Sequence, residues 1–211
     1  MIRESNSTPE KKRRLLDATV RLMLRQGFAA TTVDQICTEA GVTKGSFFHY
    51  FTGKEQIAQA AIEVWSDGWL DLLARSGLER IPDPLDRLKR LLQLLEETYP
   101  HPETEIGCMI GTVAQEVGPS NRTLGDLCER HLDGWAQGVS KVLAEAKAAH
   151  PPRVDFDPDR VADLMLAIVQ GTLLVARTRQ GRSVIDNNLR HCREYVLSLF
   201  GDPTDPVSAT R

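Results

Sequence analysis

Apolar positions in this chain recur at three- and four-residue intervals from near its start almost to its end. No stretch alternates apolar with polar residues as a half-buried strand would. Leu15, Leu16, Thr19, Leu22 and Met23 share one helical face, and Gly27 is placed to end that helix. Thr32-Val33-Asp34-Gln35 has the form of a capping box, with Thr at the N-cap and Gln three residues on. The helix it opens is short, turns Val33, Ile36 and Ala40 inward, and stops at Gly41. Thr43 is placed to cap a further helix through Phe47, Phe48 and Phe51, which Gly53 breaks. A longer amphipathic helix is predicted over Lys54–Arg75.

The second half carries equally plain punctuation. Asp83-Pro84 and Asp157-Pro158 each put an N-cap acid before a proline at the first helical position. The helices they open are predicted to reach about Tyr99 and Gln180. A short buried helix is predicted over 107–117, closed by Gly118-Pro119. Ser120 is placed to cap a long helix ending near Ala149. A last helix over 183–200 sets Ile185, Leu189, Cys192, Val196 and Leu199 on one face. The expectation is an all-α protein of about nine helices with loose ends at 1–8 and 202–211.

Composition narrows the function classes. Of 211 residues, 41% are hydrophobic and 26% charged, the balance of an ordinary soluble globular chain. The longest nearly apolar run, 164–176, is interrupted by Gln170 and Thr172 and falls short of the ~20 residues that span a bilayer. The N-terminus lacks the apolar core of a signal peptide, so a cytoplasmic protein is expected. Cys37, Cys108, Cys128 and Cys192 are scattered, without a C-x-x-C pair or a histidine at metal-ligand spacing. Neither a disulfide framework, a metal site nor a cofactor is expected from them.

The net charge of −3 hides an asymmetry that does change the picture. Residues 1–56 hold nine Lys/Arg against six Asp/Glu, and the remainder holds 17 against 23. Lys11, Lys12, Arg13 and Arg14 stand in a row at the basic end, which suggests an anionic partner for that end alone. The helix over Val33–Ala40, the Gly41-Val42 turn and the helix over 43–51 have the proportions of a helix-turn-helix. In such motifs the N-terminal residues of the second helix meet base edges in the major groove. Here those are Thr43, Lys44, Gly45 and Ser46: small or flexible, with Lys44 a strong donor to guanine or phosphate. Thr31 and Thr32 stand at one helix start and Lys54 at another, where N–H groups and the helix dipole attract phosphate.

The run from Thr32 to Phe51, TVDQICTEAGVTKGSFFHYF, followed by Lys54-Glu55, resembles the TetR (TetR/AcrR) family of bacterial regulators. The resemblance is detailed over about residues 9–69 and beyond them rests on length and helix order. It implies a DNA-binding helix-turn-helix domain over 9–69 and a helical ligand-binding and dimerisation domain over 70–201. It also implies a homodimer on a palindromic double-stranded operator, repression, and release by a small molecule. By position, Thr32, Thr43, Lys44, Gly45, Ser46, His49, Tyr50 and Lys54 match DNA-contacting positions. Phe48 departs from the pattern, standing where the family often has a phosphate-binding tyrosine; Tyr50 or His49 is then left to supply that contact. Phe47 and Phe51 read as core, while Phe48 stays open.

Other classes leave less trace. A nucleophile elbow, a phosphate-binding glycine loop and a metal signature are all missing from the sequence, so an enzyme is not expected. A protein-binding helical module would not need the basic end, and a ligand-independent DNA-binding protein would not need a pocket. For a dimer seam, 164–169 is apolar nearly all round, and the stripe Ile185, Leu189, Cys192 and Val196 also needs a partner. Pocket candidates are Trp65 and Trp69, one turn apart, and Cys128, His131 and Trp135 on one face of another helix. Cys108 follows Gly107 at a predicted helix start, where the dipole favours thiolate and hence reaction with electrophiles. Glu103 and Glu105 oppose that, and inert burial is the alternative.

Overall fold

The computed structural model describes residues 9–98, 106–118, 120–179 and 182–201. Among them run nine α-helices and no strand: α1 (Glu10–Ala30), α2 (Val33–Ala40), α3 (Lys44–Tyr50), α4 (Lys54–Arg75), α5 (Pro84–Thr98), α6 (Met109–Val117), α7 (Arg122–Ala149), α8 (Pro158–Arg179) and α9 (Arg182–Ser198). A short 3-10 turn at Leu78–Arg80, of which the periodicity gives no sign, follows α4.

Most boundaries follow from local chemistry. Thr32 Oγ1 accepts from Gln35 N at 3.2 Å while Gln35 Oε1 accepts from Thr32 N at 2.9 Å, the reciprocal capping box that the sequence spells out. Gly41 closes α2 in the left-handed region at φ 61°. Thr43 Oγ1 accepts from Ser46 N at 3.2 Å and starts α3, which ends at Tyr50 with Phe51 as its C-cap. Two helix starts differ from expectation. The helix predicted from 107 begins at Met109, with Cys108 as its N-cap. Asn121, not Ser120, caps α7, because Asn121 Oδ1 takes Leu124 N at 3.0 Å while the Ser120 hydroxyl donates backward to Val117 O. Pro119, Glu103, Glu105, the ends expected near Tyr99 and Gln180, and the tails 1–8 and 202–211 lie outside the described residues.

The chain divides into two compact units. The first runs to Leu72 and takes in Gly107–His131; the second comprises Leu73–Ile106 and the chain from Leu132 onward. In the first, α6 lies along α1, and α2 and α3 pack on α1. Leu15, Met23, Ile36, Phe47, Ile57, Ile62, Met109 and Leu124 are fully buried there. Burying such side chains contributes about 1.5–3 kcal/mol each, which is what holds three short helices too small to be stable alone.

In the second unit α9 packs on both α8 and α5. This corrects one expectation: Ile185, Leu189, Cys192 and Val196 are all buried within the chain, so this stripe is satisfied without a second copy. The leucine face of α5 covers it, a pairing no local pattern announces. The helix α8 also outruns the apolar stretch read from sequence, reaching 22 residues and enough length and hydropathy to cross a membrane. Its Val161, Met165, Val169, Leu173 and Ala176 are nevertheless buried, on a helix packed along α9. Leu164 and Leu174, with Ala167 and Gly171 between them, form an exposed stripe along the same helix.

The end of α1 is the most constrained point of the first unit. Gly27 sits at φ 84° and ψ 173°, a conformation essentially confined to glycine. A Cβ there would fall 1.7 Å from Glu116 Oε1 of α6. Gly27→Ala should therefore lower stability by about 1–3 kcal/mol or more. A urea unfolding curve checks this, and an unchanged midpoint would show that the kink is not held as described.

Candidate nucleic-acid interface and effector region

The helix-turn-helix is built by its caps. Phe47 is fully buried and Phe51 is 4% exposed, so α3 is fastened by one face. Phe47 stacks edge-on with Phe48 (centroids 5.2 Å), yet Phe48 itself remains 57% exposed and so belongs to the surface rather than the core. Thr32, Thr43, Lys44, Gly45 and His49 are exposed, and Ser46 and Tyr50 are half-buried. His49 and Tyr50 pack edge to face at 4.7 Å, so the two rings hold one another at the end of α3. A Cβ on Gly45 would meet only Thr43 Oγ1, at 3.9 Å, so nothing in the free protein requires glycine there.

Basic groups are less free than the sequence suggests. Arg14 donates to Gly41 O at 3.2 Å and Arg13 pairs with Asp17 at 3.4 Å. Lys12 lies over the Phe51 ring at 5.9 Å. Arg21 and Arg25 both reach Glu39, at 3.1 and 3.6 Å, and the Arg21 hydrogen bond holds that carboxyl below the usual range. Lys44 Nζ stands 2.7 Å from Asp34 Oδ1, which raises the Lys44 pKa through that hydrogen bond. Lys54 turns inward: its Nζ donates to Phe28 O at 3.0 Å and Ala29 O at 3.3 Å, over the Phe28 ring.

The candidate effector residues divide between the units. Trp65, Trp69, Cys108, Cys128 and His131 belong to the first and Trp135 to the second. Both tryptophans of α4 are half-buried. His131 Nε2 comes within 3.0 Å of Glu63 Oε2, but off the direction a hydrogen bond requires, so the ring nitrogen is left without a directed partner. Cys128 is 1% exposed, and burial, with Cys108 adding to it, pushes its thiol up to about 11. Cys108 is half-exposed and takes Gly111 N on its Sγ at 3.5 Å. A groove of about 360 Å³ is lined by Gln56, Gln59, Glu63, Thr123 and Arg130 together with Ala60 and Leu127. Its lining mixes polar and apolar surface and includes none of the six candidates.

Two family models match the chain: the one described as bacterial regulatory proteins, tetR family, over residues 15–61, and the tetracyclin repressor-like C-terminal domain over residues 84–192. The second alone spans just over half of the sequence. The chain belongs to the TetR family.

TetR-family relatives agree along most of the length. The transcriptional regulator AcuR of Cereibacter sphaeroides is 29% identical over 77% of this chain and 74% of its own. The HTH-type transcriptional repressor DhaR of a Mycobacterium species is 28% identical over 88% and 92%. The crystal structure of regulatory protein TetR from Rhodobacter sphaeroides superposes with a TM-score of 0.77 at 27% identity, covering 87% of this chain and 97% of that one. As a TetR-family protein the chain is a DNA-binding transcriptional regulator and not an enzyme.

Three residues around these TetR-family elements escape a reading of the sequence. Asp34 stands out there only as part of a capping box, although its position in the first turn of α2 is close to the start of α3. Glu63, beside His131, carries no local signal. Glu116 lies 87 residues from Ala29, whose N–H its Oε2 accepts at 2.9 Å, and nothing short-range announces that pairing.

The cysteines give a direct check. Burial raises Cys37, Cys128 and Cys192, the last two to about 11, so Cys128 at pH 8 holds about a hundredfold less thiolate than an unshifted thiol. Iodoacetamide at pH 8 should label Cys108 well ahead of the other three, as read by peptide mass spectrometry. Equal labelling of Cys128 in the folded protein would contradict its burial.

Proposed function

We propose that the chain is a repressor that binds a palindromic operator as a homodimer and is released by a small molecule or a reactive electrophile. The observation that carries this is the capped α2–turn–α3 unit, which has Thr43, Lys44 and Gly45 exposed and Ser46 half-buried at the start of α3, and Thr32 exposed at the start of α2. Side chains of that kind at a helix N-terminus suit base edges and phosphates. Tyr50 or His49 supplies the phosphate contact that Phe48 cannot. Lys54 reaches DNA only by leaving Phe28 and Ala29, so its role is to hold the end of α1 until phosphate competes for it. The names of DhaR and its repressor relatives support the sign of regulation.

The working division is a reader over 9–69 and a ligand-binding and dimerisation body over 70–201, in the cytoplasm. The exposed stripe Leu164, Ala167, Gly171 and Leu174 supports α8 as the dimer seam, and Tyr195 of α9 is exposed as well. Small residues at 167 and 171 allow two helices to approach closely. The inducer is assigned to Trp65, Trp69, Cys108, Cys128 and His131 in the first unit, with Trp135 the separate candidate of the second.

Two helices support a route from ligand to reader. Lys54, the first residue of α4, donates to the carbonyls of Phe28 and Ala29, and Glu116 of α6 accepts from the N–H of the same Ala29. A ligand that shifts Trp65 or Trp69 moves α4, and one that modifies Cys108 moves α6. Either displacement is passed to the end of α1, two residues before the Thr32 cap. Half-sites must lie a helical turn (about 34–36 Å) or a multiple apart, so a small tilt suffices. Coupling of about 1–3 kcal/mol weakens binding roughly 5–150-fold.

Selection of genomic fragments by the purified protein at two salt concentrations tests this. The expected product is a palindrome with half-sites at that spacing, lost in the Leu174→Arg variant, which should sediment as a monomer. Fragments without common sequence, released at moderate salt, would overturn the operator assignment.

A further inference from the structure

We propose that Asp34 is a specificity-determining residue of the DNA interface, restraining Lys44 from phosphate so that non-specific duplex is bound weakly. This rests on the DNA-binding role above and adds a residue to it. Lys44 is the only Lys or Arg on α3, and its Nζ lies 2.7 Å from Asp34 Oδ1 of α2. Their side chains are 62% and 66% exposed, so solvent screens the pair and it adds little to the fold. An acid in the first turn of α2 favours the helix dipole, but that explains only its presence, not its reach to the next helix. The consequence lies in what Lys44 is free to do.

On DNA, Lys44 has two options. It can exchange Asp34 for a phosphate, which swaps one anion for another and leaves the released carboxylate facing the charged backbone. Alternatively it keeps Asp34 on one of its three N–H donors and offers the others to a base edge, where guanine presents O6 and N7 together. The first option is available on any sequence and is opposed by Asp34. The second exists only where a guanine is correctly placed and is compatible with Asp34. The pair therefore penalises non-specific contact more than operator contact.

The test uses the full-length protein, the operator fragment recovered by selection, and a scrambled duplex of equal length, titrated across salt. Asp34→Asn should bind the scrambled duplex about three- to tenfold more tightly, with a smaller increase on the operator. Its log–log salt slope on the scrambled duplex should steepen by about 0.9 for each additional phosphate neutralised. Asp34→Glu, which keeps the charge, should retain selectivity, and Lys44→Met in the Asp34→Asn background should abolish the tighter binding. Equal tightening on both duplexes, tightening that survives Lys44→Met, or none in a variant with the wild-type thermal midpoint would overturn the proposal. A larger loss on the operator than on the scrambled duplex would overturn it as well, since Asp34 would then itself read a base. If the wild type selects no operator at all, the repressor assignment fails, and that outcome is distinct from a selective wild type matched by Asp34→Asn.

Discussion

The end of α1 is held by groups that come from far along the chain, and the geometry of the reader hangs on that grip. Glu116 of α6 accepts from Ala29 N at 2.9 Å, Lys54 of α4 donates to Phe28 O and Ala29 O, and the buried Thr31 hydroxyl donates to Gly27 O at 2.6 Å. Only glycine at position 27 admits both the backbone turn and the approach of the Glu116 carboxylate. Hydrogen bonds to a charged group are stronger than neutral ones, and those of Glu116 and Lys54 join separate helices rather than residues within one helix. The capping box of α2 begins immediately after, so the direction in which α2 and α3 leave is set here.

The first unit therefore holds more than a DNA reader. By packing α6 along α1 and including α7 as far as His131, it places Cys108, Cys128, His131 and the two tryptophans of α4 in the same compact body as the helix-turn-helix. In the proposed coupling, a chemical event at Cys108, which caps α6, would act on the helix whose other end carries Glu116. The route is short and made of packed side chains and directed hydrogen bonds, with no hinge needed inside the reader itself.

The legible part of the structure is the part encoded within four residues. Thr32 with Gln35, Thr43 with Ser46, Gly41 and the Asp-Pro starts of α5 and α8 all act on their own neighbourhood, and each does in the structure what its spacing implies. Gly27, expected to end α1, instead kinks a helix that continues to Ala30. Core aromatics Phe47 and Phe51 are equally readable, because helical spacing puts them on one face. What escapes depends on distance along the chain. The α9 stripe looks free in the sequence because its cover, the leucine face of α5, lies about a hundred residues earlier. Glu116 looks idle because Ala29 is 87 residues away. Charge is over-read for a related reason: Arg13, Arg14, Lys44 and Lys54 count as positive in the sequence, while in the fold each already has an internal acceptor.

The proposed coupling of effector to operator turns on Glu116 of α6, whose grip on Ala29 is taken to hold the reader in its DNA-competent orientation. The direct measurement is the operator affinity of the Glu116→Ala variant, taken together with its unfolding midpoint. The expected result is at least a roughly fivefold loss of affinity in a protein that remains folded. Operator affinity equal to that of the wild type would contradict this role, and would leave the contact as packing alone.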